Sequence, residues 1–192
     1  MLWTRFLPGN SVVMISAIVL AAGESKRMGR PKQLLEWQGR TLLQHSLESL
    51  INSDADEIIL VLGHEAEAIR KSLAEFQIKI VINPDYKQGM ASSLRQGLLA
   101  IDPRSEAFLV LLADQPGIGP EIMNRMIREF QQADPKRGIV RPVYRGLRGH
   151  PVLIGVRYLQ EALQLQGDVG ARQILVNHPT DILEIEVDHD GI

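Results

Sequence analysis

The chain has 192 residues, of which 45% are hydrophobic and 23% are charged, and its formal net charge at pH 7 is −2. This length and composition are typical of one globular domain with a sizeable core, and they exclude a disordered or fibrous chain. The small negative charge argues against nucleic acid or an anionic membrane as a partner, so any anion-binding site must be local. The sequence contains no cysteine, which rules out disulfides and thiolate chemistry and is compatible with a cytoplasmic protein.

The first residues predict no targeting or membrane-spanning segment. Pro8, Gly9 and Asn10 interrupt the apolar residues near the start, so a signal-peptide core is not formed. The apolar run at 12–22 is too short to span a bilayer and is interpreted as a buried strand. We therefore expect a flexible N-terminal extension over residues 1–13, followed by a single domain over residues 14–192.

Apolar, strand-like runs then alternate with helix-like segments of amphipathic spacing. Strands are predicted at 15–21, 57–62, 79–82, 107–112, 151–156 and 182–187. Helices are predicted at 42–51, 65–76, 92–101, 120–132, 157–165 and 168–176, and the stretch 138–148 is interpreted as a polar segment rich in glycine and arginine. This alternation predicts a three-layer α/β/α, Rossmann-like fold with a mainly parallel sheet, whose ligands bind beyond the carboxyl ends of the strands.

The segment 22–32 follows the first strand and combines glycine with positive charge. Gly23 and Gly29 would let backbone amides approach a phosphate closely, while Arg27 and Lys32 would add charge. Neither the P-loop spacing nor the dinucleotide-binding glycine pattern is present. On composition alone, a phosphate-binding loop and a solvated basic turn both remain open.

Asp114 comes directly after the apolar run at 107–113. A carboxylate at the end of a buried strand suits Mg²⁺, which is often held by one or two carboxylates together with substrate phosphates. The alternative is an aspartate that begins a turn before Pro116. Because the basic segment 22–32 ends at the same sheet edge in a parallel fold, the metal-binding interpretation is favoured.

An ordered set of short motifs runs along nearly the whole chain. The set comprises Leu20-Ala-Ala-Gly23, Arg27-Met-Gly29, Lys32-Gln-Leu-Leu35, Asn83-Pro84, Gly89-Met90, Ser93-Leu94, Asp114-Gln-Pro116, Gly149-His-Pro-Val152 and Gly167-Asp-Val-Gly-Ala-Arg172. Together they resemble the molybdenum-cofactor nucleotidyltransferases, within the wider group of nucleotide-diphospho-sugar-transferase-like folds. The resemblance covers residues from about 15 to 188.

This resemblance implies a set of site residues. The nucleotide would contact Leu20, Ala21, Ala22, Gly23, Arg27, Lys32, Asn83 and Ser93. Arg27 and Lys32 would bind the triphosphate and, with Asp114, form the catalytic group; Asp114 would also be the Mg²⁺ ligand. The Ala-Ala-Gly start at 21–23 is more similar to the cytidylyltransferase branch than to the guanylyltransferase branch.

The implied reaction is transfer of CMP from CTP to the terminal phosphate of molybdopterin that carries molybdenum, with release of pyrophosphate. A recipient molybdoenzyme is the implied downstream partner. Two alternatives stay open: a guanylyl- or sugar-phosphate nucleotidyltransferase, and a non-catalytic carrier of molybdenum cofactor or nucleotide.

Three further residues are candidates for contact with the acceptor substrate. Arg148 lies in the polar segment and could instead face water. His150 could equally serve as a structural hydrogen-bonding residue, and Asp168 as the N-cap of the helix that follows it. Members of the family usually continue into an Asp-Ile-Asp-Thr-Pro-like segment with a further metal ligand. Asp188 and Asp190 do not lie in that motif, so we do not transfer the ligand role to them.

Overall fold

The computed structural model describes residues 13–24, 31–188 and 192. The predicted N-terminal extension, apart from residue 13, and the predicted triphosphate ligand Arg27 lie outside the described residues. No helix in the described part of the chain is long and apolar enough to cross a membrane.

A central sheet organises the domain. The strands are β1 (Ile15–Ala21), β2 (Glu36–Trp37), β3 (Arg40–Thr41), β4 (Glu57–Leu62), β5 (Lys79–Ile82), β6 (Ala107–Leu112), β7 (Ile139–Tyr144), β8 (Leu147–Arg148), β9 (Val152–Gly155) and β10 (Ile182–Glu186). The helices are α1 (Leu42–Ile51), α2 (Ala66–Ser72), α3 (Met90–Leu98), α4 (Pro120–Gln132), α5 (Leu159–Leu163) and α6 (Arg172–Asn177).

The strand order in the main sheet is β10-β7-β9-β6-β1-β4-β5, with β8 paired to β7. Strand β1 lies in parallel between β4 and β6, whereas β9 is antiparallel to both β6 and β7. From β1 the chain first adds β4 and β5 on one side and then places β6 on the other. The carboxyl ends of β1 and β6 therefore form the topological switch point, where open α/β sheets bind ligands.

Helices cover both faces of the sheet, because the strand side chains alternate between two apolar layers. In β1, Ala17 and Val19 pack into the layer that contains α1, α2 and α4, whereas Ile18 and Leu20 pack into the layer that contains α3, α5 and α6. Strands that are apolar on both faces are typical of a parallel sheet buried between helices. The predicted three-layer α/β fold is confirmed.

The structure differs from the sequence-based prediction in the segment 138–148. This stretch forms β7 and β8, joined by a tight turn in which Arg145 and Gly146 both have positive φ. Ile139 and Val140 are fully buried. Interpreting the whole segment as polar was wrong, because Arg141 and Pro142 interrupt the apolar residues of β7.

Candidate functional site

A cavity of about 280 Å³ lies at the carboxyl ends of β1 and β6. Its lining combines the end of β1, the loop before α3 and the end of β6. The lining residues are Leu20, Ala22, Gly23, Lys32, Gln33, Tyr86, Gly89, Met90, Ser93, Leu112, Ala113, Asp114 and Asp168. We label it the nucleotide cavity after the sequence-based prediction, because five of the eight residues predicted to contact a nucleotide line it.

The backbone at the end of β1 is fixed by donors from two other segments. Gln33 Nε2 donates to the carbonyl oxygens of Ala21 at 3.0 Å and Gly23 at 3.3 Å. The backbone amide of His64 donates to the carbonyl oxygen of Ala22 at 3.2 Å. With these carbonyls held by protein donors, the segment 21–23 is rigid where it borders the cavity. Gln33 was not predicted as a site residue, although it lies in the matched Lys-Gln-Leu-Leu motif.

Lys32 and Asp114 meet across the cavity. Lys32 begins the short 3-10 turn Lys32–Leu34, and Asp114 follows β6. Lys32 Nζ lies 2.6 Å from Asp114 Oδ2, with side chains that are 43% and 35% exposed. Lys32, the last residue of the predicted basic segment, therefore lies beside the carboxylate at one sheet edge, and both side chains are partly exposed.

Tyr86 forms part of the cavity wall that sequence reasoning missed. Its side chain packs so closely on Gly63 that a Cβ atom at Gly63 would lie 2.7 Å from Tyr86 Cβ and 2.9 Å from Ala22 Cβ. The Tyr86 hydroxyl lies 3.5 Å from His64 Nδ1. Only the glycine at position 63 hints at this packing in the sequence, because a glycine after a strand can mark a close approach.

Asn83 lies behind the cavity wall and does not line the cavity. It is fully buried, and its Nδ2 donates to Ser92 Oγ at 2.9 Å and to Ser93 Oγ at 3.0 Å. Its Oδ1 accepts a hydrogen bond from the Asp85 amide at 3.0 Å. Ser93 does line the cavity, so Asn83 is placed to orient Ser93 and the loop before α3.

Asp168 connects the loop that precedes α6 to the start of α3. Its Oδ1 accepts from the Met90 amide at 3.3 Å, and the Ala91 amide donates to the Gly167 carbonyl at 3.1 Å. Helix α6 begins only at Arg172, with Ala171 as its N-cap. The alternative that Asp168 caps its own following helix is therefore wrong, because this side chain binds the first turn of a different helix.

A second cavity, of about 480 Å³, adjoins the nucleotide cavity, since both are lined by Leu20, Met90, Leu112 and Asp168. His150 lines this second cavity, and its Nδ1 is buried with no hydrogen-bond partner among the residues that the structure describes. Burial lowers the pKa of His150 below its usual range, although the Asp114 carboxylate and a hydrogen bond to the Val110 backbone oppose this. The lowered pKa favours the neutral imidazole, and its Nδ1 is a buried polar atom that no described residue pairs.

Arg148 lies further from the nucleotide cavity. Its side chain is 69% exposed, its Nε lies 3.4 Å from Glu184 Oε1, and it lines a third cavity together with His150. The three candidate acceptor residues thus lie along one continuous surface, with Asp168 nearest the nucleotide cavity and Arg148 farthest from it.

The Asp114 carboxylate suits a divalent cation whose other ligands come from substrate phosphates and water. Within residues 13–24, 31–188 and 192, no three acidic or histidine side chains converge as a self-sufficient metal site. Mg²⁺ keeps several non-protein ligands and is commonly held by one or two carboxylates plus phosphate oxygens. Asp114, about one third exposed at the cavity edge, is placed where it could supply one carboxylate to such a site.

A family model described as "MobA-like NTP transferase domain" matches residues 17–182. The chain belongs to this family. It is 34% identical to the nicotine blue oxidoreductase of Paenarthrobacter nicotinovorans, over 92% of this chain and 90% of that protein. It is also 31% identical to the molybdenum cofactor cytidylyltransferase of Escherichia coli K12, over 90% of this chain and 86% of that protein.

A solved structure supports the same assignment. The manganese complex of Rv0371c from Mycobacterium tuberculosis H37Rv superimposes with a TM-score of 0.79 and 31% identity, covering 92% of this chain and 90% of that chain. The family likeness therefore extends to a relative that binds a divalent metal ion.

Proposed function

We propose that this protein transfers CMP from CTP to the terminal phosphate of molybdenum-bearing molybdopterin and releases pyrophosphate. The observation that carries the proposal is the accessible Lys32–Asp114 pair in the nucleotide cavity. The preference for CTP rests on the Ala-Ala-Gly segment at 21–23 and on the 31% identical cytidylyltransferase. The molybdenum-cofactor acceptor rests on that same relative and on the motifs that resemble its family.

The reaction is an in-line displacement at phosphorus. An oxygen of the acceptor phosphate attacks the α-phosphorus of CTP and forms a new P–O bond. The bond between the α-phosphorus and the oxygen that bridges to the β-phosphorus breaks, and its electron pair leaves with pyrophosphate. Such chemistry requires positioning and charge neutralisation from the protein and needs no protein nucleophile.

Different residues of the site would bind the nucleoside, neutralise phosphate charge and hold the metal ion. The rigid segment 21–23 and Ser93 would bind the nucleoside part, and the Lys32 ammonium would neutralise triphosphate charge. Asp114 would hold Mg²⁺ together with phosphate oxygens, and a bound divalent ion supplies further neutralisation of phosphate charge. The neutral His150, whose other ring nitrogen donates to the Val110 backbone, would accept one hydrogen bond at Nδ1 from the acceptor in the second cavity.

The 34% identity to a protein named as an oxidoreductase favours oxidoreduction as a second candidate. The two reactions have different products, because an oxidoreductase releases no pyrophosphate from CTP. A guanylyl- or sugar-phosphate transferase would release pyrophosphate with a different nucleotide or acceptor, and a carrier protein would release none.

The test measures pyrophosphate release with CTP, GTP or ATP, in the presence and absence of molybdenum cofactor and Mg²⁺. We expect release only with CTP, cofactor and divalent metal together. Asp114→Asn should abolish most of it across a range of Mg²⁺ concentrations. The matched control is Glu67→Gln, which alters a side chain that is 77% exposed on α2. Tight cofactor binding with no pyrophosphate release from any nucleotide would refute the transferase proposal.

A further inference from the structure

The third cavity is a large groove with an excess of positive charge. It has a volume of about 950 Å³ and lies between α6 and the strands β7 and β10. Four arginines line it, namely Arg137, Arg141, Arg148 and Arg172. Among the described residues of its lining, Glu184 is the only acid, so four positive charges against one negative charge leave an excess of three. This local excess of positive charge contrasts with the net charge of the whole chain, which is −2.

Arg141 is the most buried of the four. Its side chain is only 11% exposed, and its Nη2 donates to Glu184 Oε1. Its Nε is buried and has no hydrogen-bond partner within the described part of the chain. A buried guanidinium donor without an acceptor costs free energy, and a bound anion would remove that cost.

Glu184 does not neutralise this group fully. The same carboxylate oxygen, Oε1, also lies 3.4 Å from Arg148 Nε. One carboxylate is therefore shared between two guanidinium groups, whose forked donors match carboxylate, phosphate and similar oxyanions. This part of the groove therefore carries more positive charge than its single carboxylate balances.

The groove is connected to the nucleotide cavity. His150, Arg172 and Val176 line both the groove and the second cavity, and the second cavity shares Leu20, Met90, Leu112 and Asp168 with the nucleotide cavity. Between the charged ends the shared walls include apolar side chains. One extended molecule can therefore lie along all three cavities, with its reactive end near Asp114 and its other end near Arg141.

We propose that the groove around Arg141 binds a second anionic group of the acceptor, remote from the phosphate that reacts. The acceptor is then a molecule with at least two separated anionic groups joined by a body that packs on apolar walls. This inference rests on the proposed transferase function for its meaning, but the anion site can be measured without turnover.

The first experiment titrates sulfate into the protein while CTP and Mg²⁺ saturate the nucleotide cavity, with calorimetry as the readout. We expect one sulfate site, weakened about tenfold or more by Arg141→Gln and by Arg172→Gln, since each substitution removes a charged hydrogen-bond donor. Arg172 is exposed on α6, so its variant keeps the fold even if loss of the Arg141–Glu184 pair disturbs β7. The control is Arg145→Gln, whose guanidinium lies 5.0 Å from the Tyr144 ring centroid and which does not line the groove.

The second experiment measures transfer kinetics in the same three variants. The Michaelis constant for the acceptor should rise about tenfold in Arg141→Gln and Arg172→Gln, with kcat and the Michaelis constant for CTP within about twofold of wild type. Unchanged sulfate binding and unchanged acceptor kinetics in both variants would overturn the inference while leaving the transferase function intact. Sulfate binding that depends on Arg141 and Arg172 without any pyrophosphate release would instead refute the transferase function and retain the anion site.

Discussion

Replacing Lys32 by methionine separates a role in phosphate binding from a role in folding. The Lys32–Asp114 ion pair has a distance of 2.6 Å, but its side chains are 43% and 35% exposed, and pairs this exposed contribute about 0–1 kcal/mol to stability. By contrast, removal of one preorganised charge donor from a developing phosphate charge costs about 2.7–4 kcal/mol, equivalent to a rate loss of about 100–1,000-fold. The expected effect on catalysis therefore exceeds the effect on folding by a wide margin.

The assay pairs pyrophosphate release with urea unfolding of the same samples. We expect Lys32→Met to lose about 100–1,000-fold in kcat/KM while its free energy of unfolding changes by less than about 1 kcal/mol. Lys71→Met, at an exposed position on α2, removes the same charge away from the cavity and should leave both quantities unchanged. A Lys32 variant with near-wild-type turnover, or one whose activity falls only in proportion to its unfolded fraction, would refute the reasoning.

Three further substitutions test other parts of the site. Gly63→Ala places a Cβ 2.7 Å from Tyr86 Cβ, so it should lower the free energy of unfolding by about 1–3 kcal/mol and weaken CTP binding, as measured by urea unfolding and CTP titration. Gln33→Leu removes the donor to two backbone carbonyls. It should lower the free energy of unfolding by about 1–3 kcal/mol and raise the Michaelis constant for CTP. Unchanged kinetics would exclude a positioning role for Gln33. Because the pKa of folded His150 lies below 6.5, the unfolded chain binds that proton first, and the free energy of unfolding should fall as pH decreases from about 6.5 towards the lower folded-state value. In His150→Gln this component of the pH dependence should disappear from urea unfolding curves recorded across that range.

The sequence predicted those parts of the site that depend on strand ends. A parallel sheet predicts that the segments after β1 and β6 end at one sheet edge; the structure adds that the two strands are neighbours and that Lys32 and Asp114 are in contact. The alternation of apolar runs likewise predicted the confirmed three-layer fold. Strand β7 escaped prediction because Arg141 and Pro142 interrupt its apolar pattern.

Contacts between distant loops could not be predicted in this way. The bond from the Met90 amide to Asp168 joins residues 78 positions apart, and no periodicity in either segment indicates it. The charged groove was not predicted for the same reason. Arg172 on α6 and Arg141 on β7 share a cavity only because the helix packs beside the strand. A single sequence indicates the residue types but not these pairings.

The close approach of Gly89 to Gly167 makes the positions of two loops depend on each other. A Cβ at Gly89 would lie 2.4 Å from the Gly167 carbonyl carbon, and Gly89 has a φ of +104°, so both the space and the backbone conformation require glycine. The loop that borders the nucleotide cavity is therefore locked to the loop that borders the second cavity. An insertion that reshapes the loop at 167–168 would therefore displace the start of α3 and, with it, the side of the nucleotide cavity that Met90 and Ser93 line.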